Sequence, residues 1–290
     1  MEKVITRRDF MRKTAVVAFG AAAGLKIEPQ KRTPVVLIRD ENVLDANSRI
    51  DENIIQRMVD SAVMALTGED NPVSAFKRYI KPDDIVGIKS NVWAYIPTPV
   101  ELEKVIERRV LAVGVKRENI SVDDRGVLRN PVFKRAGAII NVRPVRTHYW
   151  SGIGGCIKNL IPFAPTPSKY HPDSCADLAR VWKLPAVKGK VRLNILCALT
   201  PLFQGRGPHH YDRRYVWAYN GIIAGKDPVA VDSVGLELIK AKRRAYFGKE
   251  ISFNTIPKHI RVADKKYHLG VSDLNKIELI RLGWEKDRLI

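Results

Sequence analysis

The sequence predicts an α/β fold, namely a mainly parallel sheet with helices on both faces and a small C-terminal addition. Short β-branched runs and helical stripes alternate in the order strand, helix, strand, helix, strand, which is typical of a parallel sheet. The chain has 290 residues, of which 45% are hydrophobic, enough to bury a sizeable core. We expect the α/β domain to cover residues 34–240 and the helical and extended addition to cover residues 241–290.

The first 33 residues are predicted to be a signal and linker. Arg7 and Arg8 precede a mildly apolar run at residues 15–25, in which three alanines at 21–23 offer a cleavage site. The pattern resembles a twin-arginine (Tat) export signal; the alternative is a basic amphipathic first helix. The resemblance implies passage through the Tat translocase and a periplasmic or extracytoplasmic location, with a membrane tether if the signal stays uncleaved. Because this route carries folded proteins, it also favours a bound cofactor.

Three strands are predicted in the first half of the body, at residues 34–39, 84–92 and 119–124. Between the first two, apolar residues recur every three to four positions over residues 51–66, which predicts an amphipathic helix. Ligands of parallel sheets bind at the carboxyl ends of strands. That rule selects four polar residues at predicted strand ends, namely Lys89, Asn91, Asp123 and Asp124.

The helix between the second and third strands is predicted from its end signals. It is expected to begin at Pro99, with Thr98 as the N-cap and Glu101 completing a capping box. Gly114 is expected to end it, because glycine readily adopts the left-handed conformation of a helix C-terminus.

A glycine-rich stretch at residues 146–159 follows the next predicted strand, residues 138–142. Its glycines let the backbone approach a bound group, and amides at a helix start favour an anion. The glycines are Gly152, Gly154 and Gly155. His148 would supply a proton donor, a proton acceptor or a metal ligand, and Lys158 would supply a positive charge. The alternative is a plain glycine-rich turn with a solvated lysine.

The proline-rich residues 162–184 are either a lid or a long connection, with a short helical pattern at 174–182. A strand is predicted at 190–199. The loop 204–210 carries two adjacent histidines, which point apart on an extended chain and make a poor chelating pair.

After a short predicted strand at 222–224, Asp227 is expected to cap a helix that begins at Pro228. Asp232 follows one turn later among valines, where a carboxylate needs a cation, a metal or backbone donors as its partner. Lys158 and Lys89 are the natural candidates. We therefore expect the segments around Lys89, His148, Lys158 and Asp232 to converge in one cleft.

The net charge of +19 would attract acidic ligands, anionic lipid or acidic protein partners. Helix-turn-helix spacing, zinc-finger patterns and RNA-binding signatures do not occur in the sequence, so nucleic acid is the weaker choice. Cys156, Cys175 and Cys197 are isolated in the sequence, which is unsuited to an intrinsic four-cysteine iron–sulfur cluster. We expect mostly buried thiols, with one disulfide as an alternative.

Several segments together resemble the DUF362 family, and the resemblance covers roughly residues 34–240. They are Lys89-Ser90-Asn91, Thr147-His148, residues 151–159, residues 205–208 and residues 225–232. Arg146 stands where the family often has a lysine. The family is uncharacterised in function, and many members resemble iron–sulfur proteins with clustered cysteines, from which this chain departs.

Two classes of function follow from these patterns. In the first, the chain is an enzyme or cofactor protein whose cleft binds an anionic ligand, a metal or a redox cofactor. His148, Lys158 and Asp232 would then be catalytic, and a second set would bind the ligand, namely Lys89, Asn91, Gly152, Gly154, Gly155, Asn159 and Asp227. In the second, the chain is a non-catalytic exported protein whose basic surface meets an acidic partner or an assembly.

Overall fold

A mixed sheet forms the centre of the structure, a computed structural model that describes residues 32–207 and 211–290. In these residues the eight strands are β1 Thr33–Arg39, β2 Val86–Lys89, β3 Ile120–Asp123, β4 Ala138–His148, β5 Gly152–Gly154, β6 Val191–Leu202, β7 Gly221–Gly225 and β8 Ile277–Gly283. The predicted signal pair Arg7 and Arg8, and the paired His209 and His210, lie outside the described residues.

The strand order is β3-β2-β4-β6-β7-β1-β8, with the short β5 paired to the end of β4. The pairs β3–β2, β2–β4, β4–β6 and β1–β8 are parallel. Only β5 and β7, among the described strands, run antiparallel to their neighbours. The predicted α/β fold with a mainly parallel sheet is therefore confirmed.

Helices cover both faces of the sheet. They are α1 Glu52–Thr67, α2 Pro72–Lys77, α3 Val100–Val113, α4 Pro131–Arg135, α5 Cys156–Asn159, α6 Pro172–Cys175, α7 Pro228–Phe247 and α8 Lys258–Lys265. The apolar stripes of α1 and α3 pack on one face, where Met58 and Ile106 are part of a single core. The second core, on the opposite face, includes Val234 of α7 and Ile260 of α8.

Side-chain caps begin several of the helices. Asp51 caps α1 by accepting hydrogen bonds from two backbone N–H groups, and the left-handed Gly68 ends that helix. Asp227 caps α7 in the same way, as predicted. The predicted cap of α3 is wrong: Pro99 occupies the N-cap position without a side-chain bond. The Thr98 hydroxyl instead accepts from the Asn91 amide at 3.1 Å, which fixes the chain after β2.

The C-terminal residues are part of the main body. Helix α7 runs through the boundary predicted at residue 240, and β8 pairs in parallel with β1 along its whole length. Thr33–Ile290 forms one compact unit, and the proposed division into 34–240 and 241–290 stays a prediction. Among the described residues, no helix has the length and apolar character needed to cross a membrane.

Strand β4 is the element that most directly shapes the site. Apolar side chains predict it only over residues 138–142, but it continues to His148 and is buried over nearly its full length. The added residues carry buried polar groups, among them Arg143, Arg146 and Thr147. Buried charges in a central strand are costly without a partner. Their presence marks the carboxyl end of β4 as more than a structural element.

Candidate functional site

A pocket of about 480 Å³ opens at the carboxyl edge of the sheet. It is lined by residues that follow β2 and β3, by the second half of β4, by α5, and by the proline-rich segment after α5. This is the position at which parallel sheets bind ligands. Five residues singled out from the sequence line it, namely Asn91, Asp124, His148, Lys158 and Asn159.

Lys89 lies behind the pocket and its charge is neutralised there. The side chain is fully buried, and Nζ lies 2.5 Å from Oδ1 of Asp124 and 2.6 Å from the carbonyl oxygen of Ser90. Burial lowers the pKa of Lys89 to about 8, while the Asp124 carboxylate counteracts this effect. The backbone N–H of Val92 also donates to Asp124, at 3.0 Å. The ion pair thus fixes the chain as it leaves β2.

Two arginines of β4 line the pocket without a carboxylate in ion-pair contact. Arg143 is 4% exposed, and its Nε has no hydrogen-bond partner among the described residues. Arg146 donates to Oδ1 of Asn91 at 2.7 Å and to the carbonyl oxygen of Ile96, both neutral acceptors. Burial lowers the pKa of each guanidinium, although arginine starts high enough to stay charged at neutral pH. Sequence reasoning missed Arg143.

Lys158 is the third buried cation of the pocket, only 3% exposed. Its Nζ has no nitrogen or oxygen hydrogen-bond partner within the described residues. It lies 5.8 Å from the ring centroid of Trp150 and contacts the thiol of Cys175. The pKa of Lys158 is lowered to about 8, mainly by burial; the Cys175 thiol raises it and the nearby charge of Arg143 lowers it.

Histidines that remain neutral at physiological pH surround the same space. Burial lowers the pKa of His148 well below its usual value, and the neighbouring cations act in the same direction. His148 Nδ1 accepts from the backbone N–H of Trp150 at 3.2 Å, and the Trp150 ring stacks on His171 with centroids 4.0 Å apart. Burial lowers the pKa of His171 to about 4, and that of the fully buried His259 in α8 to about 3. Sequence reasoning missed His171 and His259.

Asp232 lies under the glycine-rich loop and not in the pocket lining. Its two carboxylate oxygens accept from the backbone N–H groups of Cys156 and Ile157, at 2.6 and 2.9 Å. The predicted pairing of Asp232 with a lysine is therefore wrong. Burial raises the pKa of Asp232 to about 7, although the two amides act in the opposite direction. The amides that were expected to hold a ligand anion are occupied by this carboxylate.

At each of the three loop glycines, another group of the protein occupies the space that a side chain would need. A Cβ at Gly155 would collide with the carboxylate of Asp232, and one at Gly154 would lie 2.7 Å from Nη2 of Arg143. Gly152 has a φ of +74°, and its Cβ would collide with the carbonyl oxygen of Thr255. None of the three lines the pocket. Their small size allows the loop to pack closely around Asp232 and Arg143.

Four buried asparagines connect the pocket to the interior of the sheet. Asn91 donates to Asn159 at 3.2 Å, Asn159 to Asn141 at 2.8 Å, and Asn141 to Asn194 at 2.9 Å. Asn194 then donates to the carbonyl oxygen of Lys226 at 2.9 Å. Predicted residues Asn91 and Asn159 therefore hold the pocket wall in place as well as lining it. Asn141 and Asn194 were not singled out from the sequence.

Two predicted aspartates serve local structure. Asp227 accepts from the backbone N–H groups of Val229, Ala230 and Val271, and it does not line the pocket. Asp123 accepts from Gly126 at 2.9 Å and from Asn130 at 3.0 Å, which shapes the turn after β3. Asp227 is therefore placed as a helix cap, whereas Asp124, beside Asp123, reaches the pocket.

The four predicted segments meet around the pocket, but their side chains fall into two groups with different roles. His148 and Lys158 face the pocket, while Lys89 and Asp232 lie behind it and hold its walls. No group of three or more His, Cys, Asp or Glu side chains in the described ranges is arranged to hold a metal ion. The three cysteines are buried free thiols.

Comparison with known proteins identifies the chain by its central segment. Residues 86–237, slightly more than half of the chain, match a family described as a domain of unknown function, DUF362. Searches of curated proteins and of solved structures give no match. The matched segment runs from β2 into α7 and includes every pocket-lining residue described above. The chain is therefore a member of the DUF362 family.

Proposed function

We propose that this protein binds a small anionic ligand in the pocket at the carboxyl edge of the sheet. The observation that carries the proposal is the excess of buried positive charge there. Arg143, Arg146 and Lys158 all line the pocket, and in the described part of the chain none has a carboxylate within ion-pair distance. Asp124 is already paired with Lys89. Buried charges without a partner are costly, and an anion that enters the pocket would supply the missing partner.

The chemistry of the cations favours an oxyanion such as a carboxylate or a phosphate. An arginine presents parallel N–H groups that match two oxygens of such a group. Arg143 lines the pocket, and its buried Nε has no hydrogen-bond partner among the described residues. Lys158 would add a compact charge from α5. His148 and His171, being neutral, leave the positive field of the three cations undiminished and can exchange protons with the ligand.

The remaining lining favours a ligand that has an apolar or flat part. Apolar surface in the lining comes from Trp93, Trp150, Leu128 and Ile161. Several prolines of the segment after α5 also line the pocket. A volume of about 480 Å³ falls within the usual range for small-molecule sites, roughly 300–1,000 Å³. The pocket therefore suits a metabolite-sized anion better than an extended acidic polymer. A metal or redox cofactor would have to bring its own anionic group to use these cations.

Binding of anions to a matched set of variants tests the proposal. Titration calorimetry with inorganic phosphate and with small carboxylates should show one binding site in the wild type. Arg143→Gln should weaken the affinity at least about tenfold, because a charge-assisted hydrogen bond contributes about 1.5–3 kcal/mol. The control is Arg192→Gln, at the exposed amino end of β6, which should bind like the wild type. Equal affinities in all three proteins would contradict an anion site at Arg143.

Stability of the same variants separates a binding role from a structural one. Removing an unpaired buried cation should leave the melting temperature of the ligand-free protein unchanged or raise it. A large decrease for Arg143→Gln, with unchanged anion affinity, would assign Arg143 to the architecture and favour the alternative of a non-catalytic exported basic protein.

The amino terminus supports the further proposal that the protein is exported by the Tat route. The support is the Arg7-Arg8 pair ahead of the mildly apolar run. Replacing both arginines by lysine should retain the protein in the cytoplasm of an expressing bacterium, as followed by cell fractionation. Unchanged export of the double variant would rule out this route, while the anion-binding proposal would be unaffected.

A further inference from the structure

We propose that Lys158 is a nucleophilic amine that forms an imine with the carbonyl group of an anionic aldehyde or keto acid bound in the pocket. This inference rests on the proposed anion site, and it assigns to that site both a substrate class and a covalent step. Lys158 would then react with the ligand, and Arg143 and Arg146 would bind its carboxylate or phosphate.

The surroundings of Lys158 are suited to a reactive amine. Lys158 lines the pocket, and its buried Nζ has no nitrogen or oxygen partner among the described residues. The thiol of Cys175, which it contacts, is only a weak hydrogen-bonding group. An ordinary structural lysine of this protein looks different: Lys89, equally buried, is held by a carboxylate and a carbonyl oxygen.

Burial and the charge of Arg143 disfavour the charged form of Lys158, while the Cys175 thiol acts in the opposite direction. No carboxylate is among the described groups that face Lys158, and burial raises the pKa of the Cys175 thiol. These groups are Arg143 and His148 of β4, His171 and Cys175 of the segment that includes α6, and His259 of α8. A desolvated lysine beside another cation is one of the recognised ways to obtain a nucleophilic amine at neutral pH. Burial, followed by the charge of Arg143, lowers the pKa of Lys158 to about 8.

The step requires only the amine, the carbonyl compound and a carrier of protons. The nitrogen lone pair of Lys158 forms a bond to the carbonyl carbon as the carbon–oxygen π bond breaks. A proton then passes from nitrogen to oxygen and gives a carbinolamine. The hydroxyl then leaves as water together with the second proton of the nitrogen, and the carbon–nitrogen double bond remains. His148 and His171 line the same pocket as neutral imidazoles and are placed to carry these protons.

Reductive trapping tests the inference. Wild-type protein is incubated with pyridoxal 5′-phosphate, a probe that has both a phosphate and an aldehyde, and the imine is fixed with cyanoborohydride and mapped by peptide mass spectrometry. We expect labelling of Lys158 at least about tenfold faster than that of the exposed Lys188, because more of its amine is neutral at pH 7. Excess pyridoxine 5′-phosphate, which has no aldehyde, should suppress the labelling of Lys158.

Two matched variants complete the design. Lys158→Arg keeps the positive charge and cannot form an imine, so it should still bind pyridoxine 5′-phosphate in calorimetry while losing the fast label. Lys188→Arg should be labelled at Lys158 as rapidly as the wild type.

The outcomes separate the two proposals. Binding of pyridoxine 5′-phosphate without preferential labelling of Lys158 would overturn the imine and leave the anion site standing. Labelling of Lys158 that excess pyridoxine 5′-phosphate does not suppress would keep the nucleophile and remove the anion site. If pyridoxine 5′-phosphate does not bind and Lys158 is not preferentially labelled, both proposals are overturned.

Discussion

Asp232 shows how a single buried side chain can hold a loop in a defined position. It belongs to α7, yet both of its oxygens accept from backbone amides at the start of α5. The two elements are separated by about 75 residues of chain, and they are joined by these bonds directly behind the pocket. The position of Lys158 in α5 therefore depends on a carboxylate that does not itself line the pocket.

Replacing Asp232 by alanine should destabilise the protein strongly. Two buried N–H groups would lose their acceptor, and each unsatisfied group costs about 1–3 kcal/mol, so the free energy of unfolding should fall by about 2–6 kcal/mol in urea titrations. The control is Asp83→Ala at an exposed position, which should unfold like the wild type. A loss as small as that of the control would mean that the loop does not depend on Asp232.

The lowered pKa of Lys158 predicts how anion affinity varies with pH. In the folded protein Lys158 loses its charge as the pH rises through about 8, whereas an ordinary lysine would keep it beyond pH 10. Phosphate affinity should therefore fall between pH 7 and pH 9 in calorimetry, at constant ionic strength. Lys158→Arg keeps its charge in this range and should show a much flatter profile. Identical profiles in the two proteins would assign the titration to another group.

At the scale of elements, the glycine-rich loop and α5 act as one unit with the groups packed against them. Three glycines lie where a side chain would collide with Thr255, Arg143 or Asp232. The sequence pattern directed attention to this loop as a ligand site, whereas its glycines pack against Thr255, Arg143 and Asp232 and do not line the pocket. Glycines predict a close approach by some group, but they do not reveal whether that group is a ligand or a side chain from a distant helix.

Substitution of Gly155 by alanine tests this account. The added Cβ would collide with the carboxylate of Asp232, and overpacking of this kind typically costs about 1–3 kcal/mol of unfolding free energy. Gly137 is a matched control, because a Cβ there meets no atom within 4 Å. Gly137→Ala should leave stability nearly unchanged or raise it by a fraction of a kcal/mol, about 0.4–1 at most. Similar urea midpoints for both variants would contradict the packing role.

The helices and strands were largely predictable because their signals are local. The stripe of α1, the Asp227 cap and the β-branched runs depend only on neighbours in sequence. The site was harder to predict from the sequence. The reason is that β4 departs from the apolar pattern at Arg143, where our proposal places its function. The partner of Asp232 was also beyond sequence reasoning, because nothing local shows that two amides lie closer to it than any lysine.

At the scale of the whole molecule, the last strand completes the sheet and is not an accessory. β8 lies at the edge beside β1, which places residues 277–283 next to residues 33–39 from the other end of the described chain. The C-terminal region also lies close behind the site, since the buried His259 of α8 interacts electrostatically with Lys158 and Arg143. The sequence suggested an addition because the family resemblance covers roughly residues 34–240, although the pairing of β8 with β1 spans the full length of both strands.

Deleting residues 241–290 should therefore abolish folding of the remainder. The cut would divide α7 and expose the edge of β1, whose unpaired backbone groups would promote aggregation. We expect an insoluble product, or a soluble one without a cooperative urea transition. The matched change at the other end, removal of residues 1–23, should leave the unfolding free energy unaltered. A folded, monomeric 34–240 fragment would restore the two-part description.

The chain of asparagines has a consequence for how the pocket responds to distant changes. Arg146 can only donate hydrogen bonds and the carbonyl of Lys226 can only accept them, so both ends impose the same direction on the four amides between them. The amide dipoles are thus aligned head to tail, with their negative ends toward Arg146. Aligned hydrogen bonds polarise one another. A substitution at Asn194, which lies on the neighbouring strand β6 and outside the pocket lining, would consequently alter the electrostatic potential at Arg146 without touching the ligand.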